Sequence, residues 1–217
     1  MISKKLNSKK VLHIDASRLK SGGGIIHLIK LLENVKYSIF DKIIVYTYEN
    51  NEFEKFKSQK IIIKTHSFIN KNIIYQIFWQ RYILKKNIAS NHLLFTIDST
   101  SFCKFNNNVV LNQDIIGFQE GSLSFFSMKN KLESFLKFLV AKYAIKNSAA
   151  SIFTTKYALE EVQKKIGALK KSIVIPHGID DQFLTKKINY NISKSILKII
   201  YVSTIFDYKN HKYLISA

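Results

Sequence analysis

The sequence of 217 residues contains only one cysteine, Cys103, and one proline, Pro176. A single cysteine cannot form an internal disulfide, and it cannot provide the ligand set of a cysteine-based zinc site. The amino-terminal residues carry lysines but not the apolar stretch of a signal peptide. No run of about 18 apolar residues is present either, so we expect no membrane-spanning helix and a cytoplasmic protein.

Arginine is also scarce, although the chain is strongly basic. Lysine and arginine together number 34 against 15 acidic residues, for a net charge of +19, yet only Arg18 and Arg81 are arginines. Proteins that read guanine usually depend on the arginine fork, so nucleic acid is not expected as the partner. A positive surface attracts polyanions and anionic lipid headgroups. A peripheral position on the anionic inner face of the plasma membrane therefore stays open.

Short β-branched runs alternate with segments of helical periodicity. The predicted strands are residues 11–15, 42–48, 61–64, 93–97, 109–112, 151–154 and 173–176. The predicted helices are residues 24–35, 51–57, 72–87, 129–147 and 155–166. Buried strands separated by amphipathic helices are typical of an α/β protein with a mostly parallel sheet and helices on both faces.

Polar residues follow several of the predicted strands. The carboxyl ends of parallel strands meet at one edge of the sheet, where open α/β proteins bind ligands. The loops after Asp15, Ile97 and Asn112 should therefore line this edge together. Asn112, Gln113 and Asp114 could bind ligand hydroxyl groups there, or equally cap the following turn. The stretch "IDST" offers one carboxylate, Asp98, and no Asp-x-Asp motif, so no metal is expected.

Three consecutive glycines, Gly22, Gly23 and Gly24, precede the first predicted helix. They lack the Gly-Lys-Ser/Thr ending of a phosphate-binding P-loop and the third glycine of a dinucleotide fingerprint. Two interpretations remain. The glycines could form a turn that lets the helix pack on the first strand, or the helix start could bind an anion with its free N–H groups.

The predicted helix 129–147 has an apolar stripe at helical spacing, with most of its lysines off the stripe. The stripe consists of Leu132, Phe135, Leu136, Leu139, Val140 and Tyr143. We expect it to pack on the sheet and to leave a solvated basic face. The alternative is a helix that lies on anionic lipid.

Taken in order, five stretches resemble the family 4 glycosyltransferases of the GT-B fold. They are "HIDASRLKSGGGIIHLIKLL", "VVLNQDIIGF", "SIFTTKYALEEVQKKIG", "KKSIVIPHGIDDQF" and "ILKIIYVSTIFDYKNHKYLISA". The resemblance implies two Rossmann-like domains facing across a cleft. Residues 1–185 would be the acceptor-side domain, 186–195 a linker, and 196–217 the first strand, at 196–203, and helix of the donor-binding domain.

The same resemblance implies a hexosyltransferase of polysaccharide biosynthesis. It would transfer a sugar from a nucleotide-sugar donor to a glycan or lipid-linked acceptor, without a metal or another cofactor. Gly22, Gly23, Gly24 and Lys209 would border the donor phosphates. Asp98, Asn112, Gln113 and Asp114 would lie on the acceptor side of the cleft, and His177 and Gly178 at the interdomain hinge. No catalytic residue is assigned.

Two departures from the family pattern concern the donor side. Ser203 and Thr204 stand near the position of the family's phosphate-binding arginine, and the family's two glutamates would lie beyond residue 217. We therefore expect a donor domain that is truncated or encoded separately as a partner, and an isolated chain that is inactive. The alternative function is a non-catalytic basic module that binds an anionic membrane or an acidic glycan.

Overall fold

A computed structural model describes residues 10–20, 22–36, 38–49, 51–121, 128–179, 200–203, 209 and 211–216. Seven strands in these ranges form one sheet, and all six strand pairings in it are parallel. The strands are β1 (Val11–Asp15), β2 (Lys42–Tyr46), β3 (Ile61–Lys64), β4 (Leu93–Thr96), β5 (Asn108–Asn112), β6 (Ala150–Phe153) and β7 (Ser172–Val174). The α/β fold with a Rossmann-like parallel sheet is thereby confirmed.

The helices are α1 (Gly23–Asn34), α2 (Ile73–Phe78), α3 (Met128–Asn147), α4 (Lys156–Ile166) and α5 (His211–Ser216). Short 3-10 helices occupy Asn51–Phe56 and Lys85–Asn87, and α2 runs into a π-helical segment at Trp79–Leu84. The Asn72 side chain caps α2 by accepting from the amides of Ile74 and Tyr75.

All seven strands predicted between residues 11 and 176 are present, and their ends differ from the predicted ends by two residues or fewer.

Both faces of the sheet are covered by helices, as a parallel sheet requires. On one face, Leu28 and Leu32 of α1 pack against Ile14 and Ile43 of the central strands. The other face carries α3 and α4, and further along it the segment around Trp79 packs on Tyr46 and Leu94. Each of these clusters buries apolar surface, which stabilises the sheet by about 25 cal/mol for every Å² removed from water.

The strand order is β3-β2-β1-β4-β5-β6-β7. β2 and β3 follow β1 toward one edge of the sheet, and β5, β6 and β7 follow β4 toward the other edge. The connections after β1 and β4 therefore diverge and leave a crevice at the carboxyl ends of these two strands. Ligands of open α/β sheets bind at such a reversal point.

The expected packing of the helix 129–147 stripe on the sheet is wrong for most of its residues. Leu132, Phe135, Leu136 and Leu139 are all exposed, and Leu132 keeps 63% of its surface accessible. The buried face of α3 consists of Val140, which belongs to the stripe, together with Ala141, Ala144 and Ile145. The four bulkier stripe residues lie on the exposed side of the helix.

The predicted strand at 196–203 is wrong for residues 200–203, which form no strand, while 196–199 lie outside the described residues. Ile200 and Val202 are 85% and 90% exposed. A strand is stable only when its N–H and C=O groups pair with a neighbour, and this segment has joined no sheet in the described part of the chain. The predicted linker at 186–195 also lies outside that part, and the division into domains stays a prediction.

α3 is the longest helix described, with 20 residues. Neither it nor any other helix in the described ranges has the length and apolar character needed to cross a membrane.

Candidate functional site

A pocket of about 460 Å³ lies where β1, β4 and β5 end. The loops that follow these strands form its floor and sides, and α3 forms a further wall. The strand loops contribute Arg18, Leu19, Asp98, Ser99, Thr100, Gln113, Asp114, Ile116, Gly117 and Phe118, the first turn of α1 contributes Gly24, and α3 contributes Ser134, Lys137, Phe138 and Ala141. The prediction that the loops after Asp15, Ile97 and Asn112 meet at one edge is confirmed.

The glycine loop enters this pocket through Gly24 alone, and its glycines differ in what they do. Gly22 has φ 77° and ψ −158°, a conformation that is essentially restricted to glycine. A Cβ atom on Gly24 would stand 2.7 Å from Cδ2 of Leu19, whereas one on Gly23 would meet nothing within 4 Å. Gly22 therefore permits the turn and Gly24 permits close packing, which favours the turn interpretation of the loop.

A buried carboxylate, Asp15, lies at the end of β1, three residues before the pocket residue Arg18. Its Oδ1 accepts from the Ser17 amide at 3.1 Å and the Ser17 hydroxyl at 2.6 Å. Its Oδ2 accepts from Gln80 Nε2 at 3.1 Å and from the Ser101 hydroxyl at 2.8 Å. Burial raises the pKa of Asp15, and the bonds from Ser17 and Ser101 act in the opposite direction. This network ties the end of β1 to the π-helical segment and to the loop after β4.

Asp98, Gln113 and Asp114 lie together in the pocket as the sequence predicts. Both carboxylates also act as turn caps, because Asp98 Oδ1 accepts from the Thr100 amide at 3.2 Å and Asp114 Oδ1 from the Ile116 amide at 2.9 Å. Capping is therefore observed for both carboxylates, and the binding of ligand hydroxyl groups stays a prediction. Asn112 does not line the pocket; it is fully buried, and its Nδ2 donates to Ser99 Oγ at 3.3 Å.

The remaining predicted residues are not among those that line the pocket. Gly22 precedes α1 and Gly23 is its first residue. Lys209 lies beside Tyr201, whose hydroxyl donates to the Lys209 carbonyl at 3.0 Å. His177 and Gly178 are exposed in the loop after β7. The ring of His177 packs edge-on against that of His27 in α1, with centroids 5.3 Å apart. A hinge role for this loop stays a prediction.

Sequence reasoning missed Arg18 and Thr100, which both line the pocket. Arg18 is partly buried, and its Nη1 atom is buried without a hydrogen-bond partner. Burial lowers the pKa of Arg18, while Asp98, Asp15 and Glu133 act in the opposite direction. A usable signal was present, because Arg18 is one of two arginines in the chain and follows the end of β1 by three residues.

Two further chemistries find no support in the site. Burial raises the pKa of Cys103 to about 12, so its thiol stays protonated near neutral pH and is a poor nucleophile. Within the ranges that the structure describes, no three His, Cys, Asp or Glu side chains are grouped to hold a metal ion.

No protein-family model and no curated protein matches the sequence. The resemblance to family 4 glycosyltransferases therefore rests on the quoted stretches, and it stays a prediction.

Proposed function

We propose that this chain supplies the acceptor-side domain of a GT-B glycosyltransferase. The enzyme would transfer a hexose from a nucleotide sugar to a glycan or lipid-linked acceptor, and a facing domain would hold most of the donor. The observation that carries the proposal is one pocket at the reversal point of the sheet, lined jointly by Gly24, Asp98 and Gln113.

The chemistry of the pocket suits a sugar. Asp98 and Asp114 offer carboxylate oxygens that accept hydrogen bonds from hydroxyl groups, and Gln113 offers both a donor and an acceptor. A volume of about 460 Å³ lies within the range of small-molecule sites. Arg18 and Lys137 also line the pocket, so it carries cations as well as carboxylates.

The proposal is tested by saturation-transfer NMR on the purified chain with neutral and acidic monosaccharides. We expect sugar binding that Asp98→Asn and Gln113→Ala each weaken about tenfold, since each removes a hydrogen bond to the ligand. Glu160→Gln, an equivalent change at an exposed position on α4, is the control and should have no effect. Absence of sugar binding, or equal binding by all variants, would contradict the proposal.

The donor is tested separately by retention of radiolabelled nucleotide sugars on the same protein. Because the proposal assigns the donor site to a facing domain, we expect weak retention or none. Tight retention would assign the donor site to this chain and contradict that part of the proposal.

A second candidate function, docking on an anionic membrane, is favoured by the exposed stripe of α3. The stripe places Leu132, Phe135, Leu136 and Leu139 on one helix face without cover from the described residues. The helix also carries five lysines and one glutamate. Apolar residues beside lysines are the combination by which a helix binds the surface of anionic lipid.

Vesicle flotation tests this candidate. We expect the chain to float with vesicles that contain phosphatidylglycerol and not with pure phosphatidylcholine, and to be released by salt, which screens the attraction. Leu132→Glu should abolish flotation, whereas Ile39→Glu, at an exposed apolar residue in the loop before β2, should not. Equal binding to both lipids, or unchanged binding by Leu132→Glu, would refute membrane docking.

A further inference from the structure

We propose that the pocket binds an oxyanion of its ligand, a carboxylate or a phosphate group, through Arg18, Thr100 and Gln113. The inference rests on the proposed function and deepens it, because it makes the acceptor an acidic or phosphorylated sugar rather than a neutral one.

The first observation is a concentration of buried polar atoms that have no partner. In the described part of the chain, six buried side-chain nitrogen or oxygen atoms lack a hydrogen bond. Three of them, Arg18 Nη1, Thr100 Oγ1 and Gln113 Nε2, belong to residues that line this one pocket. Unpaired buried groups are rare in folded proteins and costly, so their clustering calls for a ligand that pairs with them.

The second observation is the chemistry of these atoms. The guanidinium and amide nitrogens only donate hydrogen bonds, and the threonine hydroxyl is able to donate. Three donors from residues of one pocket, one of them permanently charged, match a group with several acceptor oxygens and a negative charge. The arginine fork fits the planar face of a carboxylate and two oxygens of a phosphate equally well.

The third observation is that the acidic residues near Arg18 are already engaged. Asp15 accepts hydrogen bonds from Ser17, Gln80 and Ser101, and Glu133 pairs with Lys137 at 2.8 Å. Asp98 accepts from the Thr100 amide. No ion pair within 4.0 Å joins Arg18 to a carboxylate of the described residues. Asp98, Asp15 and Glu133 stabilise its charge at longer range, and its Nη1 donor is left for a ligand.

These groups divide the pocket into two functional parts. The donors of Arg18, Thr100 and Gln113 would hold the oxyanion, while the free oxygens of Asp98 and Asp114 would accept from the ring hydroxyls. Asp114 is exposed, so water and salt screen its repulsion of the anion. A sugar that carries both an oxyanion and hydroxyl groups satisfies all five residues.

Isothermal titration of the full chain tests the inference with four probes: methyl glucoside, glucuronate, glucose 1-phosphate and inorganic phosphate. We expect at least one acidic sugar to bind about tenfold or more tightly than methyl glucoside, which is the effect of one charge-assisted hydrogen bond. Preference for glucuronate would identify a carboxylate as the natural group, and preference for glucose 1-phosphate would identify a phosphate. Inorganic phosphate shows whether the anion alone suffices.

Arg18→Gln should reduce the affinity for the acidic sugar to that of methyl glucoside. Lys170→Gln removes the same charge from an exposed position before β7, at the opposite edge of the sheet, and should change nothing. Thr100→Val preserves the side-chain shape and removes one hydroxyl, so it tests the site even where Arg18→Gln does not fold. It should weaken the acidic sugar and leave methyl glucoside unchanged.

The outcomes separate the two proposals. Equal affinity for acidic and neutral sugars, with no effect of Arg18→Gln or Thr100→Val, would overturn the oxyanion site and leave the proposed function standing. Absence of binding by all four probes would overturn the oxyanion site and remove the support for a sugar pocket as well.

Discussion

Replacement of Asp15 by alanine should destabilise the protein by removing the carboxylate at the centre of a buried hydrogen-bond network at the end of β1. Its two oxygens accept four hydrogen bonds, from the Ser17 amide and hydroxyl, from Gln80 and from Ser101. Alanine leaves these four donors facing an apolar methyl group. The residue is almost completely buried, with 2% of its surface exposed, so water does not replace the lost acceptors without rearrangement.

The magnitude follows from the donors that have no other partner. The hydroxyls of Ser17 and Ser101 are able to rotate, and Gln80 Nε2 retains the Ser17 oxygen at 3.2 Å. Leaving a buried donor unsatisfied costs about 1–3 kcal/mol, and removing a carboxylate whose pKa is raised by burial offsets part of that. We expect Asp15→Ala to lower the free energy of unfolding by about 3 kcal/mol, which corresponds to a Tm lower by about 6–12 °C.

Asparagine at the same position should cost less, about 1–2 kcal/mol. Its single oxygen serves one pair of donors, and its NH2 group donates to the Ser101 hydroxyl when it replaces Oδ2. Asp15→Ala should therefore be clearly less stable than Asp15→Asn. Asp41→Ala removes an exposed carboxylate that accepts only from the Lys10 amide, and as a control it should cost less than about 1 kcal/mol.

Urea denaturation followed by tryptophan fluorescence measures these differences. The chain has one tryptophan, Trp79, which is 1% exposed and precedes Gln80 in the π-helical segment. Its emission therefore reports the region that the network holds. A loss below about 1 kcal/mol for Asp15→Ala, or a larger loss for asparagine than for alanine, would refute the reasoning.

Three other predictions concern the strand ends and the buried interior. Gly22→Ala should cost about 1–3 kcal/mol because of the backbone conformation of Gly22, whereas Gly23→Ala, with open space around its Cβ position, should leave the urea midpoint unchanged or raised. Burial, then the neighbouring His92 and Lys64, lower the pKa of His13 to about 4. Because the folded state resists protonation of His13, the free energy of unfolding should fall by about 2 kcal/mol between pH 7.5 and pH 5. Urea denaturation at both pH values measures this loss, which should be much smaller in His13→Gln. The Cys103 thiol, whose pKa is raised to about 12, should react with a disulfide reagent only after urea unfolds the chain, and rapid reaction of the native protein would show that the thiol is accessible.

The strands and their order of appearance could be predicted from sequence because the signal is local. Each run of β-branched residues, such as Ile61–Lys64, is bounded by polar residues, and its burial in a two-sided sheet needs no knowledge of its neighbours. The meeting of Asp98 with Gln113 and Asp114 could also be predicted, since parallel strands must end at the same edge. The order of the strands and loops along the chain was therefore enough to predict that these three residues lie at one edge.

The sequence could point to Arg18 by its position after β1, but it could not predict that Nη1 of this residue lacks a partner, nor which face of α3 is buried. Both depend on contacts between distant segments. Nothing local distinguishes an arginine that lacks a partner from one that is solvated. On α3, periodicity selects the largest apolar residues, but the cluster buried against the sheet contains Ala141 and Ala144. A hydrophobic pattern does not show which of two neighbouring helix faces the tertiary structure buries.

The arrangement of α3 makes the two candidate surfaces of this protein independent. Two sets of α3 residues have the same spacing and are offset by two positions. The set that lines the pocket is Ser134, Lys137, Phe138 and Ala141, and the exposed set is Leu132, Phe135, Leu136 and Leu139. With 3.6 residues in each turn, two positions correspond to about 200°, so the two sets lie on opposite faces of the helix. A membrane bound to the exposed face would therefore not occlude the pocket. It follows that Leu132→Glu should abolish vesicle binding without altering sugar affinity. Arg18→Gln should lower the affinity for an acidic sugar without altering vesicle binding, and a change of both activities in either variant would show that the two faces are coupled.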